Sequence, residues 1–328
     1  MYITRELPRR ALSLLNEKFS VEVWPEYAPP SKEVLKEKAE DADAIITMLN
    51  DKFDREILEA SKRLKIIAQV AVGFDNVNLL EATKRGIYVT NTPDVLTETT
   101  ADFAWALLMS LARRVVEADK YVRNGQWMVA WHPGMMTGRD INGATIGIVG
   151  AGRIGQAVAQ RARGFNMKIL YHNPSPRPEL DSVGAVRLEL DDLLKQSDFV
   201  SLHVPLTRQT THLINYEKLA LMKPTAYLIN TSRGAVVDEK ALYLALKAGT
   251  IAGAGLDVFE QEPTPKNNPL IKLDNVVLAP HISSASIQTR TKMAELAIKN
   301  LIDFFNGTKP PNLVNPEVQK TSPLMKLI

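Results

Sequence analysis

The apolar run Ala144-Thr145-Ile146-Gly147-Ile148-Val149 passes straight into Gly150-Ala151-Gly152-Arg153-Ile154-Gly155. Gln156-Ala157-Val158-Ala159-Gln160-Arg161-Ala162 then continues with helical spacing. A G-x-G-x-x-G pattern alone is weak, but a strand before it and a helix after it make it specific. Gly150 permits the tight turn. Gly152 lets the backbone approach a pyrophosphate, and Gly155 allows close packing of helix on strand. The helix opened by Arg153 and Ile154 presents N–H donors and a partial positive charge to phosphates. A dinucleotide is therefore expected at Gly150, Gly152, Arg153, Ile154 and Gly155.

The same rhythm extends in both directions. Upstream, strand patterns at 2–4, 21–24, 44–48, 65–72 and 87–90 alternate with helical patterns at 8–19, 31–40, 55–62 and 78–84. A helix rich in alanine, leucine and methionine is expected over 97–123, stopped by Gly125. Downstream, strands are expected at 144–149, 168–171, 186–188, 199–204, 226–229, 252–256 and 276–278, and a last helix at 285–305. Alternating βα units imply α/β architecture with doubly wound parallel sheets. The strands are mostly apolar, as strands buried on both faces should be. A chain of 328 residues suggests about two domains.

Composition removes several classes. Lys plus Arg is 40 and Asp plus Glu is 37, a net charge of +3. That balance gives no basic field for nucleic acid or an anionic membrane. The apolar share of 45% and charged share of 23% exclude a disordered or fibrous chain. The absence of cysteine rules out disulfides, thiolate zinc sites, a cysteine nucleophile and thiol redox chemistry. No metal site is expected. The first fifteen residues carry charge throughout and lack an apolar core, unlike a signal peptide. The longest apolar stretch, 103–112, is about half of the ~20 residues that span a bilayer. A cytoplasmic protein is expected.

The second strand of the nucleotide unit ends Tyr171-His172-Asn173-Pro174-Ser175-Pro176-Arg177. NAD-preferring sites place Asp or Glu at this position, and here the acid is missing. Asn173 and Ser175 can donate hydrogen bonds, and Arg177 can pair with a 2′-phosphate. NADP(H) is favoured, with NAD(H) as the alternative if Arg177 points to solvent and Asn173 binds the ribose. Three further residues sit just past later strands: Arg233 in Asn230-Thr231-Ser232-Arg233-Gly234, Glu262 in Asp257-Val258-Phe259-Glu260-Gln261-Glu262-Pro263, and His281 in Pro280-His281-Ile282-Ser283. Ligands of open α/β sheets bind at the carboxyl ends of strands. The loop Gln126-Trp127-Met128-Val129-Ala130-Trp131-His132-Pro133-Gly134 has two readings, interface anchor or cover for the core.

The chain resembles the D-isomer-specific 2-hydroxyacid dehydrogenases, and among them the glyoxylate/hydroxypyruvate reductases. The motifs span nearly all of it: Val70-Ala71-Val72-Gly73-Phe74-Asp75-Asn76, Thr90-Asn91-Thr92-Pro93, the glycine turn, His203-Val204-Pro205-Leu206-Thr207, and the three segments bearing Arg233, Glu262 and His281. The segments 93–97 and 130–133 resemble the glyoxylate reductase branch more narrowly. The resemblance implies NAD(P)H-dependent reduction of a small 2-oxoacid, glyoxylate and also hydroxypyruvate, to glycolate and D-glycerate. In that reading His281 is the general acid and Glu262 bonds its far nitrogen. Arg233 holds the substrate carboxylate and polarises the carbonyl, a task suited to its forked guanidinium. Val72 and Gly73 offer N–H groups to the same carboxylate, and Met48, Leu49 and Trp131 shape the pocket. Val204, Pro205, Thr231, Ser232, Arg233, Asp257, His281 and Ser283 join the cofactor contacts.

The resemblance also implies a Rossmann cofactor domain, 97–283, inserted into a flavodoxin-like substrate domain made of 1–96 and 284–328. A cleft between them would close on the substrate and exclude water. A homodimer through the cofactor domain is implied, with Trp131 reaching the partner's site. Neither nucleic acid nor membrane is expected as a partner. The alternatives are another 2-hydroxyacid specificity (D-lactate, phenylpyruvate or 3-phosphoglycerate) and an NAD(H)-sensing corepressor-like binding protein.

Overall fold

All strands of both sheets run parallel, and the two sheets are wound in different orders. The computed structural model describes residues 1–16 and 19–324. Positions 17, 18 and 325–328, which the expected helix 8–19 and the expected segment 284–328 include, lie outside the described residues. The first sheet comprises β1 (Tyr2–Ile3), β2 (Glu22–Val23), β3 (Ala44–Thr47), β4 (Ile66–Gln69) and β5 (Tyr88–Thr90), in the order β2-β1-β3-β4-β5. This is the flavodoxin-like order. The second sheet comprises β6 (Thr145–Val149), β7 (Lys168–His172), β8 (Val186–Arg187), β9 (Phe199–Leu202), β10 (Tyr227–Asn230), β11 (Gly253–Leu256) and β12 (Val276–Leu278). Its order, β12-β11-β10-β9-β6-β7-β8, reverses direction between β6 and β9, as in a Rossmann sheet. The chain divides into two compact units, one of Met1–Leu96 with Ala285–Ile328 and one of Thr97–Ser284.

The strand residues explain why both faces of the second sheet are covered. Successive side chains point to opposite faces. Val200 and Leu228 join one buried cluster, with Leu193, Leu242 and Leu256. Their neighbours Phe199 and Ile229 join another, with Trp105, Ile146 and Val158. A strand that carries apolar residues on both faces thus feeds two cores. The first unit has its own core, which includes Tyr2, Leu35, Ile45, Phe53, Ile57 and Ile67.

One expected element is two. The helix expected over 97–123 is split into Thr97–Ala112 and Val115–Arg123. Arg114 between them is left-handed, with φ of 54°. The carbonyl of Ala112 accepts the Arg139 N–H at 2.7 Å, so the incoming chain occupies the oxygen at the helix end.

The edge of the first sheet is closed by residues from far along the chain. Thr90 bridges Leu313 in antiparallel fashion, and the Val314 N–H donates to the Val89 carbonyl at 2.9 Å. Asn315, 2% exposed, accepts the Val89 N–H at 2.9 Å and donates to Ile87 O at 2.9 Å and Thr83 Oγ1 at 3.0 Å. Asn315→Ala leaves buried backbone groups unpaired, so an expected loss of about 1–3 kcal/mol should appear in urea unfolding. A loss below about 0.5 kcal/mol, the scale of an ordinary surface change, would contradict this.

Candidate active site

The site begins at the switch point. Val149 at the end of β6 pairs with His172 on one side and Leu202 on the other. Gly150 has φ of 94°, and a Cβ there would stand 2.7 Å from the His203 carbonyl carbon and oxygen. Only glycine meets both demands. A Cβ on Gly155 would lie 2.1 Å from Gly150 O, so the helix Arg153–Ala162 packs directly on the turn. Gly152 caps that helix and faces open space. Together they leave a helix N-terminus bare enough for a pyrophosphate.

The end of β7 is braced from within. Asn173, 7% exposed, accepts the Ala151 N–H at 3.2 Å. Its Nδ2 donates to Ser175 O at 2.9 Å and to Ser175 Oγ at 3.3 Å. Its amide therefore ties the glycine turn to the loop that follows. Arg187, unnoticed in the sequence, clasps the same loop from β8. Its Nε donates to Asn173 O at 3.1 Å and its Nη2 to Pro174 O at 2.9 Å. It arrives through strand pairing, since Tyr171 faces Arg187 in register, and no local spacing marks it. Arg177 donates its N–H to the Tyr171 hydroxyl at 3.1 Å, while its buried Nε has no protein partner. Thr231 Oγ1 is likewise buried without one. Orphaned donors at the end of β7 and after β10, with the bare helix end, fit a dinucleotide.

On the other side of the switch point, Val204 and Pro205 follow His203. The His203 N–H donates to Val149 O at 2.7 Å, and Nε2 pairs with Ser201 Oγ at 2.8 Å. Burial pushes this imidazole down to about 3, so it is neutral near pH 7.

Asn230, Leu256 and Leu278 align across β10, β11 and β12, so three loops leave the same end of the sheet. After β10, the buried Asn230 accepts from Ser232 N–H at 3.0 Å and Ser232 Oγ at 2.8 Å, and donates to Arg233 O at 2.9 Å. Arg233 Nη1 donates to Ser232 O at 2.9 Å. After β11, Asp257 is fully buried. Its two oxygens accept the N–H groups of Ile282 at 2.7 Å and Ser283 at 2.8 Å. Burial pushes its carboxyl up, against the pull of those N–H groups and of His281. Asp257 thus anchors the His281 loop, and neither oxygen is left bare.

His281 has φ of 55°, held by its own N–H on Asp257 O at 2.8 Å. Its Nδ1 lies 2.7 Å from Glu262 Oε2, and Glu262 Oε1 accepts the Phe259 N–H at 3.0 Å. Burial raises the Glu262 carboxyl, but His281, Phe259 and the charge of Arg233 outweigh it and bring it below its ordinary 4.5. The stabilisation from this pairing is therefore complete above 4.5 and is lost as pH falls through the lowered folded value. With Nδ1 occupied, Nε2 is the atom left to act. Arg233, Glu262 and His281 are thus brought to one end of one sheet.

The remaining expected residues divide between the units. Val72 and Gly73 follow β4 in the first unit. Val72 O accepts Asn91 Nδ2 at 2.8 Å and Gly73 O accepts Gln69 Nε2 at 2.9 Å. Among the described residues neither N–H has a partner, as an anion-binding nest requires. Leu49 is partly buried in the turn after β3. Trp131 lies in the second unit and is 76% exposed, alongside Met128 at 83%, so this loop does not cover a core. No described helix is long and apolar enough to cross a membrane.

The sequence model described as "D-isomer specific 2-hydroxyacid dehydrogenase, NAD binding domain" matches residues 105–283. The chain belongs to the D-isomer specific 2-hydroxyacid dehydrogenases. It is an oxidoreductase of the glyoxylate reductase-like kind, and its cofactor is a nicotinamide nucleotide. A glyoxylate reductase of Korarchaeum cryptofilum (strain OPF8) is 60% identical over 324 residues, covering 98% of each chain. A solved structure from Thermus thermophilus superposes with a TM-score of 0.89 at 47% identity, covering 95% of this chain and 99% of that one. An NADPH-dependent glyoxylate/hydroxypyruvate reductase of Sinorhizobium meliloti, solved with NADP and malonate, gives 0.83 at 35% identity, covering 97% and 96%. Among 2-hydroxyacid dehydrogenases, then, this chain keeps company with glyoxylate reductases along its whole length.

Proposed function

We propose that this dehydrogenase reduces glyoxylate to glycolate, and hydroxypyruvate to D-glycerate, with NADPH as the preferred reductant. The observation that carries the reading is the 2.7 Å pairing of His281 Nδ1 with Glu262, one strand away from the Arg233 loop. When bound, the reduced nicotinamide supplies a hydride to the carbonyl carbon. His281 Nε2 gives its proton to the carbonyl oxygen as negative charge develops there, and Glu262 steadies the imidazole on its other side. Arg233 pairs with the substrate carboxylate and draws charge toward the carbonyl oxygen. In the first unit, the N–H groups of Val72 and Gly73 are assigned to the substrate, and Leu49 limits the size of the side chain admitted. Gly150, Gly152, Arg153, Ile154 and Gly155 hold the pyrophosphate. Asn173, Ser175 and Arg177 face the adenosine ribose, and Val204, Pro205, Thr231, Ser232, Asp257 and Ser283 frame the nicotinamide half.

Three things support this reading. Relatives at 60%, 57% and 55% identity are named glyoxylate reductase. The loop after β7 opens without an acid and has two arginines at hand, Arg177 within it and Arg187 reaching it from β8. The Sinorhizobium enzyme is named NADPH-dependent. Steady-state kinetics across 2-oxoacids with both reduced cofactors test it. A preference of about tenfold or more for NADH, roughly 1.4 kcal/mol, would overturn the NADPH assignment. Failure to turn over glyoxylate would overturn the substrate.

Asn173→Asp is the second test of that strand end. The new carboxylate faces Ser175 O and repels a 2′-phosphate. The expected result is a KM for NADPH that rises while the KM for NADH holds or falls. Equal changes in both would remove Asn173 from specificity.

The same reading makes Thr97–Ser284 the cofactor domain and the discontinuous unit the substrate domain of a cytoplasmic enzyme. It also makes the exposed Trp127, Met128, Val129 and Trp131, with Val115 and Val122 on the adjoining helix, part of a homodimer interface. Sedimentation at micromolar concentration should then give a dimer, and a monomer would refute that part.

A further inference from the structure

A buried polar network lies beneath two loops of the first unit. Asp51 is 1% exposed and has donors for both carboxylate oxygens. Oδ2 accepts from Thr4 Oγ1 at 2.5 Å, Thr47 Oγ1 at 2.9 Å and the Met48 N–H at 2.9 Å. Oδ1 accepts from Arg5 Nη2 at 3.2 Å. The Asp51 N–H returns to Met48 O at 3.2 Å. The carboxylate thereby closes the turn 48–51, with Leu49 and Asn50 at its apex.

Asn76 ties this turn to the next loop. Its Nδ2 donates to both ends of the turn, to Met48 O at 3.1 Å and Asp51 O at 2.8 Å. Its Oδ1 accepts from Gln69 Nε2 at 2.6 Å, and that same nitrogen donates to Gly73 O at 2.9 Å. Two side-chain amides, Asn76 and Gln69, thus link the backbone around Leu49 to the backbone around Gly73. These are the two loops that the proposed function assigns to the substrate, and the inference rests on that reading.

We infer that Asp51 and Asn76 are positioning residues, whose shared network beneath the turn 48–51 and the loop 70–76 sets the affinity for the 2-oxoacid. Removing a carboxylate from water is costly unless donors satisfy it, and an apolar residue would fill the same space without that cost. What the charge provides is a fixed backbone. It gathers two strand ends, β1 through Thr4 and β3 through Thr47, onto one turn. A nest of N–H groups binds an anion only while its donors converge, and a displacement of about 1 Å in such a site is expensive. Both residues lie in the unit that does not contain the nucleotide turn, so their effect should fall on one ligand and spare the other.

The test is steady-state kinetics of the full-length Asp51→Asn and Asn76→Ser variants with glyoxylate and NADPH, each beside a thermal melt. In Asp51→Asn the new NH2 faces a donor in either flip, Arg5 Nη2 or the Met48 N–H. In Asn76→Ser the reach to both carbonyls is lost while a short polar side chain is kept. The expected result is a KM for glyoxylate raised about tenfold or more, with kcat and the KM for NADPH within about twofold. A merely structural role would lower the melting temperature and move both KM values together, and that outcome overturns the inference. So does an unchanged KM for glyoxylate in either folded variant. Should Asp51→Asn fail to fold, Asn76→Ser carries the decision. Arg233→Lys is measured in parallel. If it raises the KM for glyoxylate while the network variants do not, positioning fails and the site reading stands. If it too leaves that KM unchanged, the site reading itself has failed.

Discussion

His281→Ala is expected to lower kcat by roughly 10²–10⁴, the usual range for a lost general acid. The imidazole is held at Nδ1 by Glu262 and at its backbone by Asp257. Its removal therefore deletes a proton donor without unlocking the loop, whose Ile282 and Ser283 N–H groups stay on Asp257. The KM for the cofactor should change far less than kcat. Glu262→Gln should fall between wild type and His281→Ala, because the amide still reaches the ring but makes a weaker hydrogen bond than the carboxylate does. Single-turnover rates at saturating glyoxylate separate these cases. A kcat near that of wild type in His281→Ala would remove the residue from the reaction.

Gly234→Ala should do comparable damage through backbone alone. A Cβ at this position would stand 1.8 Å from the Phe259 carbonyl carbon, 2.0 Å from its oxygen and 2.3 Å from the Glu260 nitrogen. Those atoms belong to a main chain that cannot swing aside as a side chain can. Either the Arg233 loop or the loop that carries Glu262 has to move. Arg233 and Glu262 are each within a few residues of the collision, and an error of about 1 Å costs on the order of 10² in rate. Overpacking should also cost about 1–3 kcal/mol of stability. Kinetics and a denaturant melt on the same preparation measure both. A folded variant with wild-type kcat/KM would show that the two loops are not in register through this contact.

Much of this was readable from residue order. Strands such as 199–202 and 227–230 are apolar at nearly every position and bounded by polar residues, so their burial on two faces could be foreseen. Arg233, Glu262 and His281 were visible because each follows its strand within a few residues. What escaped notice depends on partners distant in sequence. The break after Ala112 is made by Arg139, whose N–H takes the helix-end carbonyl. Arg187 meets the loop after β7 only because β8 pairs with β7. Asn173 looked like a free donor, yet its amide is occupied by Ala151 and Ser175. Asp51 belongs to none of the motifs, and Asn76 closes the motif 70–76 without a role attached to it, because no periodicity marks a carboxylate shared by two strand ends.

The clasp of Asn315 on β5 has a consequence for how the polypeptide is born. Val89 and the residue that satisfies its N–H are 226 positions apart. A ribosome delivers β5 before its clasp, with all of Thr97–Ser284 in between. For that interval the edge of the first sheet is an unpaired strand, the kind of edge that recruits neighbouring chains. The inserted unit waits for nothing, since its seven strands come from one continuous length. Nascent chains therefore fold from the inside outward, and the earliest-made sheet is the last to close.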